Sequence, residues 1–274
     1  MSSAVLVTGC SSGIGRATAF ALVRAGLPTW ATARDPGTLA DLEAAGCRTL
    51  ALDVTDEASR VRAVEAVEAA HGAVGALVNN AGYTQIGVIE ELQIDSVQRQ
   101  FDTNVFGPLR LCQLVLPGMR QRRHGTIVNL GSAAGLVTPP ASGAYSMTKY
   151  ALEALTDALR LEVARFGVRV VLVEPGAART RLMATGWATV PTPEDSPYAA
   201  FVRGVNAMAE RAHRPGARGV LSPDDIARTI VKAITAGRPR TRYKLGSQAR
   251  VAPAVRRLAG DRLWDRMMLR VTRT

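Results

Sequence analysis

Lysine is nearly absent from a basic chain: of 34 basic residues only Lys149, Lys232 and Lys244 are lysine, and the rest are arginine. Cysteine is scarce as well. Cys10, Cys47 and Cys112 stand far apart with no C-x-x-C or other ligand spacing, which excludes a disulfide framework or a zinc site as the organising device. A reducing compartment is the simplest reading. No apolar run approaches the roughly 18 residues of a spanning helix, and Met1 to Gly9 lacks the basic and apolar regions of a signal peptide. A cytoplasmic protein is expected. Aromatics are only 5% of residues, so the interior should consist of small and branched aliphatics, as where helices pack on a sheet.

What is present fits one compact domain: 274 residues, 47% hydrophobic and 21% charged. The net charge of +11 raises nucleic acid or an anionic membrane as partners, but it is concentrated. From Arg238 to Thr274 there are eleven Arg or Lys against two Asp, so that segment holds +9 of the total. The charge reads as a property of the tail.

Short β-branched runs alternate with amphipathic helical stretches. Strands are expected at Ala4–Thr8, Pro28–Ala33, Cys47–Leu52, Ala76–Asn79, Thr126–Leu130 and Val168–Val173. Helices are expected at Ile14–Ala25, Asp56–His71, Ser96–Arg120, Ala144–Phe166 and Pro223–Ala236. This rhythm predicts an α/β fold with a doubly wound parallel sheet of Rossmann type, with ligands outside the carboxyl ends of the strands. Residues 177–221 break the rhythm with Pro191, Pro193, Pro197 and Pro215 among Met183, Trp187, Tyr198, Phe201 and Met208, and read as a lid. The apolar residues there either line a bulky apolar substrate's pocket or belong to the core, and His213 is a candidate contact to a polar end of that substrate.

After the first strand comes Thr8-Gly9-Cys10-Ser11-Ser12-Gly13-Ile14-Gly15. Taken alone, it is either an ordinary strand-to-helix turn or a pyrophosphate cradle, since glycines let a backbone approach phosphate and a helix N-terminus offers amide donors.

The run T-G-x-x-x-G-x-G resembles the cofactor signature of the short-chain dehydrogenases/reductases. Further motifs follow in that family's order: Asp53-Val54, Asn79-Asn80-Ala81-Gly82, Asn104 in Asn104-Val105-Phe106-Gly107, Gly131-Ser132, Tyr145-x-x-x-Lys149, and Pro175-Gly176-x-x-x-Thr180. The resemblance covers residues 4 to 180. It implies a nicotinamide cofactor held by Gly9, Ser11, Ser12, Gly13, Ile14, Gly15, Asp53, Val54, Asn80, Ala81, Gly82, Tyr145, Lys149, Pro175, Gly176 and Thr180. It implies a catalytic set of Asn104, Ser132, Tyr145 and Lys149, in which Asn104 holds a water that relays protons to Lys149.

The chemistry of these residues agrees. Reducing a carbonyl needs a proton donor for the developing alkoxide, and a free tyrosine near ~10 is too weak an acid. A lysine at i+4 shares its helix face, so its ammonium is expected to lower the Tyr145 pKa. With so few tyrosines and lysines, a chance pair at this spacing is expected on the order of 0.05 times. Ser132, after the fifth strand, is either a turn residue or a hydrogen-bond partner for the substrate oxygen. Asn104 is a poor helix former within a helical pattern and so should have side-chain work to do. His71, His124 and His213 form no hydrolase triad, and no metal ligand set appears.

The second strand ends Ala33-Arg34-Asp35. With Ala33 at the family's acid position, Arg34 is placed to meet a 2′-phosphate, so NADP(H) is the expected cofactor. Arg16 either assists or lies on a solvated helix face. The carboxyl third, with Ala31-Thr32-Ala33-Arg34 and the basic tail, resembles the steroid and retinoid dehydrogenase-like branch. A ketone or aldehyde reductase is the leading expectation, a non-catalytic cofactor-bound sensor or scaffold the alternative, and nucleic-acid binding by the tail the least supported. A homo-oligomer is expected. From Val251 the tail reads as a basic amphipathic helix that packs on its own or a partner subunit, or makes weak peripheral contact with an anionic membrane.

Overall fold

The structure, a computed structural model, describes residues 4–180, 195–213 and 219–272. Seven strands form one parallel sheet: β1 (Val5–Val7), β2 (Thr29–Ala33), β3 (Arg48–Ala51), β4 (Ala76–Asn79), β5 (Gly125–Leu130), β6 (Val168–Pro175) and β7 (Arg242–Leu245). Their spatial order is β3-β2-β1-β4-β5-β6-β7. The chain leaves β1 toward β2 and later returns to β4 on β1's other side, so the order reverses at the β1/β4 boundary. That is the switch point where sheets of this kind bind ligands, outside the carboxyl ends of the strands.

The helices in chain order are α1 (Gly13–Arg24), α2 (Ala40–Ala44), α3 (Glu57–His71), α4 (Ile94–Phe101), α5 (Gly107–Gln121), α6 (Gly143–Val163), α7 (Ala199–His213), α8 (Pro223–Thr235), α9 (Gly246–Arg250) and α10 (Ala252–Val271). The central strands β1, β4 and β5 are buried along their whole length, which explains why they read as continuous apolar runs. One face packs Ala19 and Leu22 of α1 with Ile226, Ile230 and Ala233 of α8 against Val5, Val7 and Val128. The other packs Val64 and Val67 of α3, Leu111, Val115 and Met119 of α5, and Leu159 of α6 against Leu6, Leu77 and Ile127.

Two sequence expectations need correction. The segment beyond Arg238 was read wholly as a tail, yet Arg242–Leu245 is the seventh strand, pairing in parallel with β6 from Leu172↔Arg242 to Pro175↔Leu245. A strand reading Arg-Tyr-Lys-Leu hides because Arg242 reaches three carboxylates, Glu153, Asp157 and Glu174, and so belongs to the fold. The expected helix Ser96–Arg120 is two helices joined by a π turn, Asp102–Phe106, that carries Asn104. Of the expected lid positions, Met183, Trp187, Pro191, Pro193, Pro215 and the His213 side chain lie outside the described residues, whereas Phe201 and Met208 of α7 are half-buried. Among the described residues no helix is long and apolar enough to cross a membrane.

Candidate active site

The glycine turn is held by the end of β4. Thr8 Oγ1 accepts from the backbone N–H of Asn80 at 3.0 Å and of Ala81 at 2.9 Å. The Asn80 side chain donates to the carbonyls of Thr8 at 2.8 Å and Gly9 at 3.1 Å. This packing fixes glycine at two positions. A Cβ on Gly15 would fall 2.3 Å from the Gly9 carbonyl oxygen, and Gly9 itself has φ +72° with Ala81 Cα 2.9 Å from the place of a Cβ. At the start of α1, Ser12 makes no side-chain cap and the first turn has no acid, so amide donors and the positive end of the dipole face outward. That arrangement suits a dinucleotide pyrophosphate.

Outside this turn lies a cleft of ≈ 650 Å³. Of the expected cofactor residues, Gly9, Ser11, Ser12, Gly13, Ile14, Arg34, Asp53, Val54, Asn80, Ala81, Gly82 and Thr180 line it. Tyr83, Arg99 and Thr103 line it too; the sequence reading missed them because Tyr83 and Thr103 flank the Asn79–Gly82 and Asn104–Gly107 motifs without belonging to them, and Arg99 of α4 carries no motif. Gly15 serves helix packing instead. Pro175 and Gly176 are also outside the cleft: the Gly176 N–H donates to Leu245 at 2.8 Å, so these residues join β6 to β7.

Arg34 stands at the cleft end of β2, and neighbouring Asp35 turns away to accept from the Gly37 N–H at 2.9 Å. Arg16 pairs with Asp41 and donates to the Thr38 carbonyl at 3.3 Å, which commits it to the α1–α2 surface. Burial would raise the Asp53 carboxyl, but hydrogen bonds from Thr55 and the charges of Arg34 and Arg60 outweigh it and hold Asp53 below the usual range.

The four expected catalytic residues converge beyond Leu130, a residue of the cleft wall. Lys149 is 8% exposed and its Nζ donates to the Leu130 carbonyl at 2.7 Å. The same Nζ lies 5.7 Å from the centre of the Tyr145 ring. The Tyr145 hydroxyl hydrogen-bonds Ser132, whose Oγ also accepts from the Ala134 N–H at 3.1 Å. Asn104 is buried; its amide donates to the Tyr83 carbonyl at 2.9 Å and Thr148 Oγ1 at 3.1 Å, and its Oδ1 accepts from the Tyr83 N–H at 3.1 Å. Its side chain therefore ties α6 to the loop after β4.

One electrostatic expectation differs. Burial pushes the Tyr145 hydroxyl up to about 12, with the Ser132 hydrogen bond opposing, and it pushes the Lys149 ammonium down to about 8, with Glu153 opposing. Desolvation outweighs the lysine here because Nζ is drawn to the Leu130 carbonyl rather than to the phenol oxygen. The three thiols are inert: burial raises Cys10 and Cys112 to about 12 and Cys47 to about 11.

A doubly wound sheet, a glycine turn at its switch point and a Ser–Tyr–Lys group beside the cleft define the dinucleotide-dependent oxidoreductase class. Comparison with known proteins narrows this. Residues 3–214 match the short chain dehydrogenase family. A solved short-chain dehydrogenase from Streptomyces avermitilis superposes with a TM-score of 0.80 at 37% identity, covering 97% of each chain. The 3-ketodihydrosphingosine reductase of Bacteroides thetaiotaomicron is 34% identical over 90% of this chain and 89% of its own length. Retinol dehydrogenase 8 of Bos taurus is 34% identical over 89% of this chain and 81% of its own. The chain belongs to the short chain dehydrogenase family.

Proposed function

We propose that the chain is an NADP(H)-dependent reductase of a ketone or aldehyde on a bulky apolar molecule. The observation that carries it is the group of half-buried Ser132 and Tyr145 with buried Lys149, joined to the glycine cleft through Leu130. The cofactor, when bound, supplies the hydride. Ser132 hydrogen-bonds the carbonyl oxygen and, with Tyr145, supports its developing charge. Tyr145 delivers the proton to that oxygen. Lys149 holds the nicotinamide ribose and stabilises the phenolate left on Tyr145, and Asn104 keeps α6 and the Tyr83 loop in register around them. For the 2′-phosphate, Arg34 is the partner, since no carboxylate of β2 faces the cleft and Asp35 caps its own turn.

The apolar substrate reading rests on α7 and on the relatives, one named for 3-ketodihydrosphingosine and one for retinol. Tyr198 and Ser196, at the entry to α7, bond Glu90 and Glu91. Their neighbour Ile89 packs on Gly143, two residues before Tyr145. These contacts support the reading of residues 196–213 as the wall of a substrate mouth. Tyr145→Phe tests the function: turnover should fall about 10²- to 10⁴-fold while NADPH affinity stays near wild type, because only the proton donor is lost. Retained turnover would remove the assignment.

A further inference from the structure

Behind the site, between α6 and the β6–β7 edge, is a cluster of charges that the proposed chemistry leaves unused. Glu174 of β6 is fully buried. Arg242 of β7 pairs with Glu153, with Asp157 at 2.6 Å and with Glu174 at 3.5 Å, and Arg160 pairs with Asp157 at 2.7 Å. Among the described residues, no donor reaches the buried carboxylate oxygens Glu153 Oε1 and Glu174 Oε2. Both carboxylates meet the same Arg242 nitrogen, Nη1, so they stand side by side, and two carboxylates held together away from water favour keeping one proton between them.

The cluster lies against the Ser132 turn. A Cβ on Gly131 would sit 3.4 Å from Glu174 Cγ, and one on Gly135 would sit 3.2 Å from Glu153 Cγ and 3.0 Å from the Lys149 carbonyl oxygen. Glu153 is also one helical turn from Lys149 on the same face of α6. We propose that Glu153 and Glu174 share one proton, and that this acid pair, anchored by Arg242, is a positioning unit that sets the charge of Lys149.

The balance of charge explains how it works. The groups facing the pair are Lys149, Asp157 and Arg160 of α6 and Arg242 and Lys244 of β7. With one shared proton, the carboxylates of Glu153, Asp157 and Glu174 are balanced by Arg242 and Arg160. When the proton leaves, the cluster becomes more negative by one charge a helical turn from the Lys149 ammonium, which favours that ammonium. Burial, then repulsion from Glu153, raises Glu174 to about 7, while burial lowers Lys149 to about 8. Release of the shared proton therefore keeps Lys149 charged where it would otherwise begin to discharge.

This inference rests on the proposed role of Lys149, and its test has one arm independent of that role. Glu174 binds its proton in the folded chain up to about pH 7 but in the unfolded chain only up to its ordinary value of 4.5, so its stabilisation is lost as pH rises through that window. The melting temperature of Glu174→Gln minus that of wild type should be constant below about pH 5 and grow between about pH 5 and 8. A constant difference throughout overturns the shared proton. In the second arm, Glu153→Gln should move the basic limb of kcat/KM for NADPH-dependent ketone reduction down by about one pH unit, a tenfold loss on that limb, with the ketone KM nearly unchanged. A uniform loss at every pH overturns the coupling and leaves a structural brace. If Lys149→Arg is fully active, the reading of the site fails instead, while the melting arm still reports on the proton.

Discussion

The glycine cleft and the carboxyl-terminal helix α10 use their polar and apolar residues in opposite ways. In the cleft, Thr8 and Asn80 spend their hydrogen bonds on backbone, so the turn is rigid before any ligand arrives. In α10 the apolar residues do little for the fold. Trp264 is buried, but Leu258 is 88% exposed and Leu263, Leu269 and Val271 are exposed among Arg256, Arg257, Arg262, Arg266 and Arg270. Gly260, with φ +67°, kinks the helix, and its far end meets α7, where a Cβ on Gly204 would fall 1.7 Å from the Thr272 carbonyl oxygen. One region is built inward for a small ligand, and the other presents outward.

Substitutions can break that comparison, and the largest effect should come from Lys149→Arg. Guanidinium is planar and does not fit the pocket of an ammonium bonded to Leu130, so kcat should fall about 10²-fold or more although the charge is kept. Steady-state NADPH oxidation checks this. Gly15→Ala should come next: the Cβ meets backbone, so α1 or the turn must shift, costing about 1 to 3 kcal/mol by denaturant titration and weakening NADPH binding in parallel.

These positions were legible because their chemistry is written locally. The turn from Gly9 to Gly15, and Tyr145 with Lys149 four residues on, are short motifs whose spacing alone sets their geometry. The parts that were not legible depend on distant partners. β7 is recognisable as a strand only once Glu153, Asp157 and Glu174 are seen to receive Arg242, and Tyr83 and Arg99 reach the cleft only through the fold. The tyrosine–lysine electrostatics were misjudged for the same reason, since the Leu130 carbonyl that draws Lys149 lies on another element.

A smaller effect is expected at Arg34→Asp, which should weaken NADPH by about 2 to 3 kcal/mol relative to NADH by placing a carboxylate beside a phosphate. An unchanged ratio of the two affinities by fluorescence titration would move the phosphate partner elsewhere. Smallest for the cleft is deletion of residues 252–274, which should leave NADPH affinity within about twofold, since α10 does not line it. The same truncation should abolish any salt-sensitive sedimentation with anionic vesicles, as the exposed leucines and arginines leave with the helix. A loss of NADPH binding on truncation would join the two regions that the structure separates.

The most direct test of the central claim is NADPH consumption by the purified full-length chain against small, aromatic, long-chain and polycyclic ketones, with NADH in parallel. The proposed function predicts consumption that requires a ketone, a higher kcat/KM for the bulky apolar members and a preference for NADPH. Tight NADPH binding with no consumption against any carbonyl would contradict it and make the chain a cofactor-bound protein without turnover.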